Sequence, residues 1–149
     1  MNAKLKWKDK MVFEGVVGGH SIVLDAKPPV GTNAGPTPKE LVALGLGGCT
    51  AMDVIALLNK HKQVPKSFEI DVEIDMVPSE GKQPVVFDQA LLSYVVKGEV
   101  EPERLLEAVQ LSQSKYCSVG AMLSRSFPIS YRVELNGFEV GVGRARFKT

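Results

Sequence analysis

A chain of 149 residues, 44% hydrophobic and 23% charged, has the composition of an ordinary globular protein and is long enough to bury a core. Its 18 lysines and arginines against 17 aspartates and glutamates leave a net charge of +1. Without a block of like charge, a nucleic-acid partner is not expected. Five of the first ten residues are charged and no apolar stretch follows, so they do not read as a secretory signal. The apolar region from Leu41 to Leu58 is interrupted by Thr50 and Asp53, short of the roughly 18 consecutive apolar residues expected of a membrane span. The expectation is a cytoplasmic protein with no membrane partner.

The first third alternates as strands do. Leu5 and Trp7 interleave with Lys4, Lys6, Lys8 and Lys10, Met11 to Phe13 leads into Gly15, and Gly18-Gly19 reads as a hairpin turn before a strand over residues 21–25. Residues 27–36 hold three prolines and two glycines and predict a loop. Thr37-Pro38-Lys39-Glu40 then reads as a capping box with proline in the first helical turn. The helix it opens runs to His61 or Lys62. Leu41, Val42, Leu44, Leu46, Met52, Val54, Ile55, Leu57 and Leu58 nearly encircle it, which predicts a buried helix at the centre of a domain or an oligomer. Gly45, Gly47 and Gly48 lie inside it, each disfavoured by about 1 kcal/mol against alanine, and point to close approach by another helix or a ligand.

Phe68, Ile70, Val72, Ile74 and Met76 alternate with Glu69, Asp71, Glu73 and Asp75, the pattern of a half-exposed antiparallel strand. Its neighbour runs from Val85 to Val96, across a turn from Ser79 to Pro84. Pro102 starts a second amphipathic helix reaching about Lys115, a further helical turn covers residues 118–124, and strands over 129–135 and 138–147 flank an Asn136-Gly137 turn. Strands, buried helix, strands, helix and strands make one α+β domain over residues 1–149, with its sheets antiparallel. So much apolar helix on so small a sheet argues for a homodimer.

The chain has two cysteines. Cys49 lies mid-helix and Cys117 near a helix start beside Lys115. In a reducing compartment they are either inert core or redox chemistry rather than a lasting structural disulfide. Mid-helix placement predicts that Cys49 is the less exposed, and the helix start predicts thiolate character for Cys117. A working pair needs Cα atoms within about 7 Å, and Gly48 and Gly120 are the residues expected to permit it.

Residues 36–49, Pro-Thr-Pro-Lys-Glu-Leu-Val-Ala-Leu-Gly-Leu-Gly-Gly-Cys, and 114–118, Ser-Lys-Tyr-Cys-Ser, resemble the OsmC/Ohr family of thiol peroxidases over nearly the whole chain. Residues 48–54 and 115–119 are similar to its YhfA-like subgroup. The resemblance implies an OsmC-like fold, an intertwined homodimer with the thiol sites at the subunit interface, and two-cysteine reduction of organic hydroperoxides. Cys49 matches the peroxidatic cysteine and Cys117 the resolving one, with an external dithiol as reductant and no bound cofactor or metal. The peroxidase members hold the thiolate with an arginine from the early strands, oriented by a glutamate ten residues before the first cysteine. Here no arginine precedes Arg104 and position 39 is lysine, which leaves Lys10 or Lys8, Lys39 and Glu40 as candidate supporting residues. The alternative is a non-enzymatic redox sensor, or an apolar small-ligand binder that keeps the fold and the thiols.

Two isolated histidines, His20 and His61, and no Cys-x-x-Cys predict no zinc site. Asp53, four residues after Cys49, is expected to face a cation or bond a neighbouring backbone. Trp7, Phe13 and Tyr116 are expected in core or dimer interface, Arg125 at the surface, and residues 31–35 as a mobile flap bordering the thiols.

Overall fold

Three short antiparallel strands come first in the computed structural model, which describes residues 1–79 and 83–148. They are β1 (Ala3–Asp9), β2 (Val12–Val17) and β3 (His20–Leu24), in that order across the sheet. This sheet belongs to one compact unit, residues 1–42, and everything from residue 43 on forms a second. Every residue of β1 is exposed, so Trp7 stands at the surface of the chain and not in a core, its indole N–H donating to the Lys10 carbonyl at 2.9 Å.

The loop after β3 is ordered around one carboxylate. Asp25 accepts from the amides of Ala26, Thr32 and Ala34 and from the Thr32 hydroxyl, at 2.7–3.0 Å. Led by the Ala34 amide and the Thr32 hydroxyl, these donors hold the Asp25 pKa down at about 2. These four hydrogen bonds tie the loop to Asp25 at three residues, Ala26, Thr32 and Ala34. The predicted capping box forms: the Thr37 amide donates to Glu40 Oε2 at 2.8 Å and the Glu40 amide to Thr37 Oγ1 at 3.3 Å.

Helix α1 (Pro38–Lys60) follows, and Lys62 closes its end in the left-handed conformation at φ 57°. Leu46, Thr50, Val54 and Leu58, every fourth residue, form its buried stripe together with Gly47. A Cβ on Gly47 would sit 2.8 Å from Val72 Cγ2, so glycine there lets the helix lie close on the sheet. The opposite stripe is uncovered in the single chain, with Leu44 67% and Met52 76% exposed. Within the single chain, the expected burial of the helix covers one face. By length and mean hydropathy α1 would also suffice to cross a membrane, a match hidden by counting consecutive apolar residues. Its buried stripe contributes Leu46, Val54 and Leu58 to a hydrophobic core.

The second unit is built on the sheet β4 (Ser67–Pro78), β5 (Val85–Lys97), β6 (Ile129–Leu135) and β7 (Phe138–Arg144), in that order. On β4 the apolar residues from Phe68 to Ile74 turn inward and the acidic ones outward, as alternation predicts. In the turn expected after β4, residues 80–82 lie outside the described residues; the Ser79 amide donates to the Pro84 carbonyl at 2.9 Å. Asn136 and Gly137 turn at φ 53° and 85° between β6 and β7, the positive pair a type I′ turn requires. One pairing departs from expectation: β5 and β6 run parallel, because residues 98–128 form a crossover rather than a hairpin. That crossover carries α2 (Pro102–Leu111), a π-helical turn (Ser112–Tyr116) and α3 (Ser118–Leu123). The second helix thus leaves α geometry four residues before the expected end.

Candidate functional site

The π-helical turn shapes the site. Its wide register lets the Cys117 amide donate to the Ser112 carbonyl at 3.0 Å, and such turns recur at functional sites. Ser112 and Gln113 are buried within it, while Ser114, Lys115 and Tyr116 face outward with the Lys115 ammonium 5.2 Å from the Tyr116 ring centroid. Cys117 then caps α3, its sulfur accepting from the Gly120 amide at 3.2 Å.

From α1, Cys49, Thr50 and Asp53 face this turn. The sulfurs of Cys49 and Cys117 and a carboxylate oxygen of Asp53 all lie within 4.8 Å of one another. Both cysteines are free thiols, and closing them to a disulfide of about 2.05 Å asks for less than about 3 Å of sulfur movement. A Cβ on Gly120 would stand 3.2 Å from the Cys117 sulfur, so this glycine makes room for it; nothing lies within 4 Å of the corresponding position at Gly48, which is not needed for the approach.

Exposure runs opposite to expectation. Cys117 is 0% exposed and Cys49 partly exposed. Burial pushes the Cys117 thiol up to about 12, against the Gly120 amide, with the bonded Cys49 thiol and the Asp53 carboxylate pushing the same way. A six-residue helix and an outward-facing Lys115 do not outweigh that desolvation.

A buried hydroxyl chain supports the cluster. Ser112 Oγ donates to Asp53 Oδ2 at 2.9 Å, so the 2.8 Å contact between Ser112 and Thr50 needs the Thr50 proton. Thr50 Oγ1 then accepts from Tyr94 Oη at 2.6 Å and from Gln113 Nε2 at 2.9 Å. The same Gln113 N–H is shared with Tyr94 Oη at 3.1 Å, since the two oxygens stand only 2.6 Å apart. Donation therefore runs one way, from Tyr94 through Thr50 and Ser112 to Asp53. Gln113 Oε1 is left as a buried acceptor without a partner, and flipping the amide would place an acceptor where Thr50 has no proton to give. Burial raises the Tyr94 phenol well above its ordinary value, so it stays a donor. Among the described residues, the Ser112 hydroxyl is the hydrogen-bond partner of Asp53.

Of the predicted residues, Cys49 and Cys117 come together. Glu40, Lys39 and Lys10 belong to the N-terminal unit. Glu40 is committed to Thr37 and to Lys27, 2.9 Å away, which hold its pKa down. Lys10 occupies the β1–β2 turn at φ 48°, Lys39 the first turn of α1, and Lys8 pairs with Glu14 at 3.2 Å. Tyr116 is exposed rather than core, and Arg125 is exposed as expected. Thr50, Tyr94, Ser112 and Gln113 escaped sequence reasoning; polar residues inside otherwise apolar stretches were the available signal.

The N-terminal unit also holds an apolar recess of about 320 Å³ lined by Leu5, Met11, Phe13 and Leu24, with Lys27 and Asp25 beside them.

Comparison with known proteins agrees with this architecture. The OsmC-like protein family matches residues 31–132. Protein YhfA of Escherichia coli K12 is 33% identical over 138 residues, 91% of this chain and 98% of that protein. A hypothetical protein from Aquifex aeolicus superposes with a TM-score of 0.76 at 28% identity, covering 91% of this chain and 96% of its own. An OsmC-like protein from Mycoplasma pneumoniae shares the fold at a TM-score of 0.78 and 14% identity, over 90% and 95% of the two chains. The organic hydroperoxide resistance protein OhrB of Bacillus subtilis shares it at 0.63 and 14%, over 91% and 96%. With its family match, its relative above 30% identity and its α+β fold, this chain belongs to the OsmC-like protein family.

Proposed function

We propose that the protein is a two-cysteine thiol peroxidase acting on organic hydroperoxides, with Cys49 attacking and Cys117 resolving. The observation that carries the reading is the pair of free sulfurs within 4.8 Å, one partly exposed and one wholly buried. The Cys49 thiolate attacks the distal peroxide oxygen; the O–O bond breaks, the alkoxide leaves and is protonated to the alcohol, and Cys49 becomes a sulfenic acid. Cys117 attacks that sulfur, water leaves, and the disulfide forms. An external dithiol reduces the disulfide by exchange and is itself oxidised. The substrate class is taken from proteins of the same fold named for organic hydroperoxide resistance.

The same reading includes a homodimer in which a second copy covers the apolar stripe around Leu44 and Met52. The apolar recess in the N-terminal unit favours, as a second reading, a binder of small apolar ligands that uses its thiols only as a sensor. Turnover decides between them. With an alkyl hydroperoxide and excess dithiol, the enzyme consumes peroxide continuously and Cys49→Ser abolishes it. Disulfide formation without sustained consumption favours the sensor.

A further inference from the structure

We propose that the reduced cysteine pair and Asp53 form a binding site for a thiophilic divalent cation of the Zn²⁺ class, with water as the fourth ligand. Cys49 and Asp53 stand one helical turn apart on α1 and Cys117 arrives from the end of the π-helical turn, so three ligand atoms on two segments converge within 4.8 Å. Tetrahedral zinc, with Zn–S near 2.3 Å and Zn–O near 2.1 Å, separates such atoms by about 3.6–3.8 Å, so the cluster has to contract by roughly 1 Å at most. Two thiolates and a carboxylate are a fitting donor set for a soft divalent ion. The outer shell is already built: Ser112 donates to one Asp53 oxygen and Gly120 to the Cys117 sulfur, the type of support that fixes ligand orientation.

Gathering two sulfurs and a carboxylate brings together groups whose anions repel, and a divalent cation relieves that repulsion. Binding displaces both thiol protons to solvent and oxidises nothing. The disulfide removes two of the three ligands, so only the reduced protein binds. The site is that of the proposed redox couple, but cation binding requires only that the thiols be reduced. Histidine and Cys-x-x-Cys spacing does not reveal it, because its ligands are 4 and 64 residues from one another along the chain.

The test uses Co²⁺ as probe on the reduced, desalted full chain under anaerobic conditions. One equivalent should give thiolate-to-cobalt charge transfer with the strong visible bands of tetrahedral cobalt, release two protons, and be displaced by Zn²⁺. Cys49→Ser and Cys117→Ser should each abolish this spectrum. Asp53→Asn should keep the charge transfer but weaken affinity by about tenfold or more, at least matching the loss of an outer-shell partner. Absence of the band in the reduced wild type, its survival in either cysteine variant, or an unchanged affinity in Asp53→Asn overturns the site. If Cys117→Ser does not fold, the other two variants decide. Peroxide turnover without cobalt binding overturns this inference alone; cobalt binding without turnover leaves it standing.

Discussion

Thr50→Val removes the hub of the hydroxyl chain while conserving shape. Thr50 is fully buried and its hydroxyl makes three side-chain hydrogen bonds, to Tyr94, Ser112 and Gln113. Valine fills the space and supplies none. Ser112 keeps its bond to Asp53 and Gln113 its bond to Tyr94, but the Tyr94 O–H loses its acceptor and stays buried. Three net bonds are lost, a floor to which the unpaired Tyr94 donor adds. At 0.5–1.5 kcal/mol for each net bond, the bonds alone cost about 2–4 kcal/mol. At this chain length that lowers Tm by roughly 5–15 °C. Urea unfolding monitored by circular dichroism measures it as a lower midpoint at constant slope. Thr50→Ser keeps the hydroxyl and should lose only the methyl's share, about 1 kcal/mol. A Thr50→Val loss below about 0.5 kcal/mol, or a Thr50→Ser loss as large as that of valine, would refute the hub assignment.

Asp25 makes stability depend on acid. Its pKa is held at about 2 by amide and hydroxyl donors, below the unfolded carboxylate value near 3.9. Its contribution is full above about pH 4 and disappears as pH falls through the folded value, so Asp25→Asn should unfold more easily at neutral pH and show a flatter acid limb; an acid limb identical to wild type contradicts this. Leu44→Glu with Met52→Glu, placing charge on the uncovered stripe of α1, should convert a dimer to a folded monomer in sedimentation velocity at micromolar concentration, and a wild-type monomer there contradicts the dimer.

The readable parts of the chain were those governed by local rules. The Thr37-to-Glu40 capping box, the alternation from Phe68 to Ile74 and the Asn136-Gly137 turn each follow from neighbours in sequence. The π-helical turn at Ser112 was not legible, since it is defined by a one-residue shift in hydrogen bonding rather than by composition. Parallel pairing of β5 with β6 depends on where a long crossover returns. For the site, the resemblance supplied the partnership of Cys49 and Cys117. Their exposures reversed because Cys117 is enclosed by its own turn and the core, whatever its place at a helix start. Asp53 drew attention through its i+4 spacing from Cys49, but the chain from Tyr94 to Asp53 joins residues far apart in sequence and only the fold assembles it.

The central claim is that Cys49 and Cys117 form one redox couple. Reduced protein treated with one equivalent of alkyl hydroperoxide, alkylated and mapped by mass spectrometry tests it directly. The account predicts a Cys49–Cys117 disulfide within the same chain, one alcohol formed per disulfide, and a trappable sulfenic acid on Cys49 in Cys117→Ser. A sulfenic acid that persists on Cys49 in the wild type, or a disulfide joining two different chains, would contradict it.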